Sequence, residues 1–460
     1  MRTAGDIALV ACYEMGHQPL SVAWPAAVLE RAGYRPRLVD LSVQRLEVAR
    51  AARARLVAIS APMHTALRIG VEAARAIRAA NPPAHICFYG LYAGLNAEFL
   101  LEGVADSVIA GEIEAPLAEL ARAIEAGDDR PIEGVARRGQ PAVPHLRRAD
   151  LPVPARGGLP PLDRYVQLVR DGQSLATGYV EATRGCLHLC RHCPIPPVYN
   201  GRFVAVPVDV VLADVRQQVA AGARHITFGD PDFLNGPGQA LRVARGLHAE
   251  HPGVTFDFTA KIAHLLRHRA LLPELVACGA LFVVSAAESL SDRVLEHLDK
   301  GHTRADIARA LEVTAAAGLA LRPTWVAFTP WTTRDDYRAL LDFIAEHDLV
   351  DHVDPVQLSL RLLVPPGSLL VEHPAMRPHL VDLRREAFTW SWRHPDPWMD
   401  ALQAGVAALV APAAEAGEDP AETYERIRSL AWDGHAGPVL VAPGPADRPR
   451  PPRLTESWFC

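Results

Sequence analysis

The strongest constraint on what this chain can fold into is a repeating pattern in its first third. Short apolar runs, "IALVAC" (7–12), "RPRLVD" (35–40), "RLVAIS" (55–60), "HICFYG" (85–90) and "DSVIAG" (106–111), alternate with stretches of helical spacing such as "VAWPAAVLERAG" (22–33), "TALRIGVEAARAIRAA" (65–80) and "APLAELARAIEAG" (115–127). Five strands joined by crossover helices predict an α/β domain, a doubly wound parallel sheet, over residues 1–140. Ligands in such a sheet bind beyond the carboxyl ends of the strands, where "YGLYAGLN" and "GEIEAP" fall as loops. A domain of this pattern that serves only for packing is the other reading.

Residues 141–175 continue a stretch dense in Pro, Gly and Arg, "RRGQPAVPHLRRADLPVPARGGLPPLD", which has neither apolar period and reads as a linker. The βα alternation then resumes over 176–375. Its strands are "SLATGYVEAT", "HITFGD", "VTFDFTA", "ALFVVSA", "LALRPTWVAF" and "PVQLSLRLL". Six such units predict a partial (βα)6-type barrel, whose reactive end is the C-terminal end of its strands. Residues 376–436 read as a helical extension, and 437–460 as a Pro-rich tail ending in Cys460.

Composition excludes several classes of function. With 47 basic and 53 acidic residues, net −6, the chain has no basic footprint for nucleic acid. No stretch of eighteen apolar residues is present, and the opening apolar run is cut by Asp6 and Glu14, so neither a membrane span nor a secretory leader is expected. The expectation is a cytoplasmic protein. Its seven cysteines are odd in number and clustered, which points to metal or catalysis and away from a disulfide framework.

The cluster is "EATRGCLHLCRHCPIPP", with Cys186, Cys190 and Cys193 in a C-x3-C-x2-C loop directly after the first strand of the barrel. Zinc asks for four ligands, so it would have to recruit His188, His192 or a remote residue. A cubane iron–sulfur cluster on three thiolates instead leaves one iron open. Read from the residues alone, a non-catalytic zinc- or iron–sulfur-binding sensor on an α/β scaffold stays an alternative to an enzyme.

This loop, in its place after the first strand, resembles that of the radical S-adenosylmethionine (SAM) superfamily. Two further segments resemble the same family: "ITFGDPDFLNG", at the end of the second strand, and "LFVVSAAESLSDRVLEHLDKGHT", at the fourth. The resemblance implies a [4Fe-4S] cluster on Cys186, Cys190 and Cys193. It implies SAM held near Phe228, Gly229 and Asp230 and by Glu288 and Ser289, with reductive cleavage of SAM starting radical chemistry on a small-molecule or peptide substrate. An electron donor such as flavodoxin or ferredoxin follows from that chemistry. Lys261 stands where relatives often carry an Arg, and His192 where they usually carry an aromatic residue.

The N-terminal domain resembles the cobalamin-binding type that precedes the barrel in one large radical SAM group, which implies cobalamin-assisted methylation as one outcome. The Asp-x-His-x-x-Gly signature for a lower cobalt ligand is absent, since "YEMGHQPL" offers His17 without the Asp or the spacing. Cobalamin and a vestigial domain both stay open. The ending "RLTESWFC" resembles the start of the CUAEP/CCAEP tail of some radical SAM proteins; that likeness implies a selenoprotein read short of a selenocysteine codon, with Cys460 as a catalytic thiol, and a disordered tail with a plain terminal thiol is the other reading. Three further readings concern single residues. His264 and His268 are expected on a solvated helix face, Cys12 and Cys278 as buried structural thiols, and the tryptophans of "FTWSWRHPDPWMD" as packing for the C-terminal helix.

Overall fold

The computed structural model describes residues 1–46, 53–147, 150–434 and 450–456. The first sheet holds β1 (Ile7–Ala11), β2 (Arg37–Asp40), β3 (Leu56–Ser60), β4 (His85–Tyr89), β5 (Ser107–Ile109) and β6 (Val135–Ala136), in the order β2-β1-β3-β4-β5-β6. The first five are mutually parallel and β6 is antiparallel. Every residue of β1 and β3 is buried, because helices cover both faces of the sheet. The order reverses between β1 and β3, which makes a crevice at their carboxyl ends.

The second sheet is built from β7 (Gln167–Arg170), β8 (Gln173–Val180), β11 (His225–Phe228), β12 (Thr255–Thr259), β13 (Ala280–Glu288), β14 (Ala320–Trp325) and β17 (Arg453–Leu454), ordered β14-β13-β12-β11-β8-β7-β17. Strands β8 and β11 to β14 run parallel, with helices Val208–Ala220, Pro237–Glu250 and Arg304–Ala316 among their crossovers and helix Arg334–Glu346 following β14. Strands β9 (Thr183–Gly185) and β10 (Phe203–Ala205) form a separate ribbon, as do β15 (Leu380–Arg384) and β16 (Thr389–Trp392). The linker region contributes β7, joined to β8 by Asp171-Gly172, both at positive φ, as a two-residue hairpin turn requires.

One expected strand is absent. "PVQLSLRLL" forms a 3₁₀ turn over Pro355–Ser359, and Arg361 makes only an isolated bridge, to Phe328 beyond the end of β14. Pro355 has no N–H to give a ladder, Asp354 caps the turn at Val356 N (3.1 Å), and the Gln357 amide oxygen accepts the edge N–H of Trp325 (3.1 Å) in place of a sixth strand. Helices Pro397–Glu415 and Pro420–Ala431 pack against this turn. Trp392 donates to Leu362 O (2.8 Å) under the Arg361 guanidinium, and Trp398 lies under Arg334, so both indoles pack. No helix among the described residues is long and apolar enough to cross a membrane.

Two buried arginines join the halves. Arg156, from the linker region, makes a bidentate pair with Asp214 (2.7 and 2.8 Å) and donates to Gln18 Oε1 (3.0 Å) and Tyr179 O (2.6 Å). Arg184 binds Glu112 (2.9 Å), Glu114 (2.7 Å) and Glu181 (3.4 Å) while covering the Trp24 ring. Removing one partner of a buried pair strands the other charge. Arg156→Met is therefore expected to cost about 3–5 kcal/mol, read as a lowered urea midpoint, and pairing it with Asp214→Leu is expected to restore much of the loss. Equal midpoints for wild type and the single variant would contradict this.

Candidate active site

The cysteine loop leaves the end of β8 and is pinched at its base by the β9–β10 ribbon. Gly185 sits at φ +75°, and a Cβ there would meet Arg202 O at 2.5 Å, so the lead-in glycine permits the close turn into Cys186. Cys186 N then donates to Arg202 O (3.1 Å), Cys193 N to Cys190 O (3.1 Å), and Arg191 N to Leu298 O (2.9 Å). Cys190 is buried, and Cys186 and Cys193 are partly so. A single zinc ion with Zn–S of about 2.3 Å would draw sulfurs to within roughly 4 Å of one another. The three sulfurs do not all close to within 4.8 Å of one another.

Burial pushes the Cys193 thiol up to about 12 and raises that of Cys186, so ligation, which needs thiolates, must be helped by charge. Two buried ammonium groups are at hand. Lys261 Nζ donates to Cys190 Sγ at 3.4 Å. Lys300 lies 3.2 Å from Glu288; burial alone would lower its pKa, but Glu288 and the Cys190 thiol hold it above the ordinary value.

Glu288 and Ser289 close β13 beside this loop. Glu288 adopts φ +66°, rare for a residue with a Cβ, at a register shift between β13 and β14. Burial would raise its pKa, yet Lys300 and His192, the latter at 3.1 Å, hold the carboxylate well below the usual range. His192 thus pairs with Glu288. Ser289 Oγ accepts from Ser291 N (3.1 Å).

The second-strand segment, Phe228 to Asp230, lies at the end of β11 beside the cysteine loop. Phe228 is a core side chain, stacked on Phe233 at 4.6 Å. Gly229 is required by the Tyr179 ring, which a Cβ would meet at 2.2 Å. Asp230 is buried, with its oxygens accepting from Ala182 N (2.9 Å) and Thr183 Oγ1 (2.5 Å), so its carboxylate fastens the approach to the cysteine loop.

The expectation for His264 is corrected. The ring is buried, with Nδ1 2.7 Å from Asp232 and Nε2 3.2 Å from His188 Nε2; only His268 is partly exposed. Burial, then Lys261 and His264, lower His188 to about 4, so its ring is neutral. The ligand atoms of His188, Asp232 and His264 lie within 4.8 Å of one another, close enough for an ion. Sequence spacing could not find this set, because its members come from three separate segments. Lys300 stood in a quoted motif but carried no signal by itself. Cys12 and Cys278 are buried, as is Cys87, and Cys460 lies outside the described residues.

A cavity of about 390 Å³ separates the two sheets. One wall is made by loops after β1, β3, β4 and β5, including Met15, Pro62, Gly90 and Gly111; the other carries Gly185, Tyr199 and Gly229 beside the cysteine loop. This is the crevice where a doubly wound sheet takes its ligand. Gly90, at φ +104°, brings its backbone against Ala61 O, which a Cβ would meet at 3.0 Å. No histidine among the described residues lines this cavity; His17 stacks on Tyr179 at 4.5 Å and faces a separate cavity on the side of the second sheet.

Residues 7–121 match the B12 binding domain family and residues 180–344 the Radical SAM superfamily. An uncharacterized methyltransferase of Pyrococcus horikoshii is 23% identical over 62% of this chain and 61% of its own. A tRNA-2-methylthio-N(6)-dimethylallyladenosine synthase of Sorangium cellulosum is 30% identical over 37% of this chain and 39% of its own. The chain spans about three fifths or less of the length of these relatives. In structure it is similar to the radical SAM methyltransferase TsrM of Kitasatospora setae, solved with tryptophan and aza-SAM, at 18% identity, 89% of each chain and a TM-score of 0.67. It is also similar to OxsB, a cobalamin-dependent SAM radical enzyme solved with aqua-cobalamin and SAM, at 14% identity, 93% of this chain, 71% of that chain and a TM-score of 0.70. At such identities the likeness to the solved structures is one of fold; within this chain, residues 180–344 carry the match to the Radical SAM superfamily, and the match to the B12 binding domain family lies ahead of it.

Proposed function

We propose that this protein is a radical SAM enzyme that binds one [4Fe-4S] cluster on Cys186, Cys190 and Cys193 and cobalamin in the cavity between its sheets, and that it transfers a methyl group to a small-molecule or peptide substrate. The observation that carries the reading is the three-cysteine loop, without a fourth cysteine, opening beside a crevice at the strand ends of the N-terminal sheet. When bound, the cluster supplies the electron that breaks a carbon–sulfur bond of SAM, and cobalamin supplies a cobalt centre able to carry a methyl group.

The protein's own part is charge, position and exclusion of water. Lys261 and Lys300 offset the negative charge of the thiolates in a buried setting, where such interactions are strong. Glu288 and Ser289 receive the ribose or amino group of SAM at the end of β13, and the backbone at Gly229 borders the same space. Asp230 is a positioning residue for the loop. Glu181 faces the cofactor cavity as a neutral acid: burial, outweighing Arg184, pushes it up to about 8. A flavodoxin or ferredoxin delivers the electron.

Anaerobic reconstitution is expected to give a brown protein with about four irons per chain, the complement of one such cluster. Its product with reductant and SAM is 5′-deoxyadenosine or S-adenosylhomocysteine, and each of Cys186→Ala, Cys190→Ala and Cys193→Ala is expected to reduce both iron and product to background. Wild-type product from any of the three would overturn the assignment. Glu288→Gln is expected to weaken SAM binding about tenfold while iron content holds, as loss of a charged hydrogen bond does; unchanged affinity would remove its role. Glu181 also makes a pH test. Its carboxyl keeps a proton in the fold up to about pH 8 but releases it near 4.5 when unfolded, so its contribution to stability is complete below 4.5 and is lost as pH rises through 8. The thermal midpoint of the metal-free protein should therefore fall across that window, and Glu181→Gln should flatten the fall; an unchanged slope in the variant would contradict it.

A further inference from the structure

The curled sheet encloses a second cavity, of about 790 Å³, on its concave face. Strand residues Thr227, Asp257 and Thr324 form its back wall, and its open side is covered by the returning segment 450–456. That segment is fastened to one edge of the sheet: β17 pairs with β7, Thr455 N donates to Gln167 O (2.9 Å), and Gln167 N donates to Thr455 Oγ1 (2.9 Å). It also reaches the opposite edge, since Arg322 of β14 makes long hydrogen bonds to Pro452 O (3.5 Å) and Asp351 O (3.4 Å). The tail thus brings the two edges of the sheet together, with Arg322 on one side of the seam and Arg453 on the other.

The charges around the cavity do not balance locally. Each acid in its wall has a partner. Asp257 accepts from Thr227 Oγ1 (2.6 Å) and lies 2.9 Å from His225 Nε2, and Asp354 caps Val356 N. Asp351 and Asp419 both face Arg450, Glu418 pairs with Arg426 (2.6 Å), and Glu456 accepts from Tyr13. Arg322 and Arg453, by contrast, have no ion pair among the described residues; Asp354 acts on both, and Asp257 and Asp351 on Arg322, only from beyond that range. Two half-buried guanidinium groups facing one cavity with no carboxylate in ion-pair contact leave their donor forks open to an anion.

We infer that the seam between Arg322 and Arg453 is an anion-binding subsite, and that the molecule taken into the lumen carries a carboxylate or phosphate there. Planar guanidinium forks suit either group, and the cavity is of the size that holds a small-molecule ligand. Burial and then Arg453 lower Arg322 to about 10, against the opposing pull of Asp354, Asp257 and Asp351. Because Arg453 belongs to the covering segment, the anion also ties that segment down over the bound molecule. The inference names a substrate class for the proposed enzyme and rests on that reading for what becomes of the molecule, but the binding itself stands on this geometry.

Calorimetric titration of the reconstituted full chain with glutarate, phenyl phosphate and the neutral glutaramide tests it. At least one anion is expected to bind about tenfold or more tightly than glutaramide, the worth of a charge-assisted hydrogen bond, and the better of the two identifies the group. Arg322→Gln and Arg453→Gln should each remove the preference, and Arg453→Lys should keep part of it. Two anions that bind no better than glutaramide, or Gln variants that both keep the wild-type preference, overturn the inference. Iron content is measured on the same samples. A chain that discriminates anions yet retains no iron leaves this subsite standing and removes the proposed function instead.

Discussion

The arrangement of this molecule depends on the Arg184 guanidinium. Its position in sequence, two residues before Cys186, would matter little if it were solvated, but it is buried with Glu112 and Glu114 from the N-terminal domain and Glu181 from its own strand end. Burial alone would lower its pKa, and Glu114 and Glu112 raise it well above the ordinary value, so the charge is kept. A buried charge of this kind tolerates few geometries, because any displacement leaves both signs without water or partner. The same side chain therefore sets the angle of the N-terminal sheet and the exit of the cysteine loop. Tyr199, at the far end of the loop, also donates to Glu112 (2.8 Å), which fixes the second exit to the same carboxylate.

The thiolates impose the opposite demand. Burial raises the pKa of Cys186 and Cys193, and the fold answers with Lys261, just after β12, and Lys300, just after the helix Asp292–Leu298. Lys300 would in turn be costly to bury, and Glu288 meets it by taking a left-handed backbone conformation at the end of β13. The strained residue, the cation and the cysteine loop are links in one chain of compensation. Each is unfavourable alone, and the site holds because they are satisfied together.

What could be read in the sequence was what repeats or is closely spaced. The apolar runs of β1 to β5 and the C-x3-C-x2-C loop are local patterns, and local patterns survive without knowledge of the fold. The neighbours of His264 were not readable in this way. Its place on a short helix suggests solvent, and only the packing of Ile262–Arg267 against the loop at Asp232 and the cysteine loop buries it. The segment at Pro355 failed for a different reason: its apolar alternation is that of a strand, but Pro355 and the Asp354 cap decide the backbone before sheet pairing can. The pairing of Arg453 with β7 joins residues far apart in sequence and leaves no periodic trace.

The loop after β1 shows how the missing cobalt-ligand signature is absorbed by the fold. Met15 borders both cavities, so this loop is the partition between the cofactor crevice and the lumen. Glu14 accepts from Leu20 N (2.9 Å) and Ser21 N (3.0 Å), which starts the helix Leu20–Arg31, and Tyr13 donates to Glu456 of the returning tail. Gly16, at φ +71°, lies where a Cβ would strike Glu456, so the loop and the tail close on each other. His17 completes the partition by stacking on Tyr179, and burial lowers it to about 3, which keeps it neutral. A histidine held this way cannot also reach across the crevice. In this chain the β1 loop therefore separates two compartments and joins the tail to the barrel, and a cofactor in the crevice would be held by the shape of its walls.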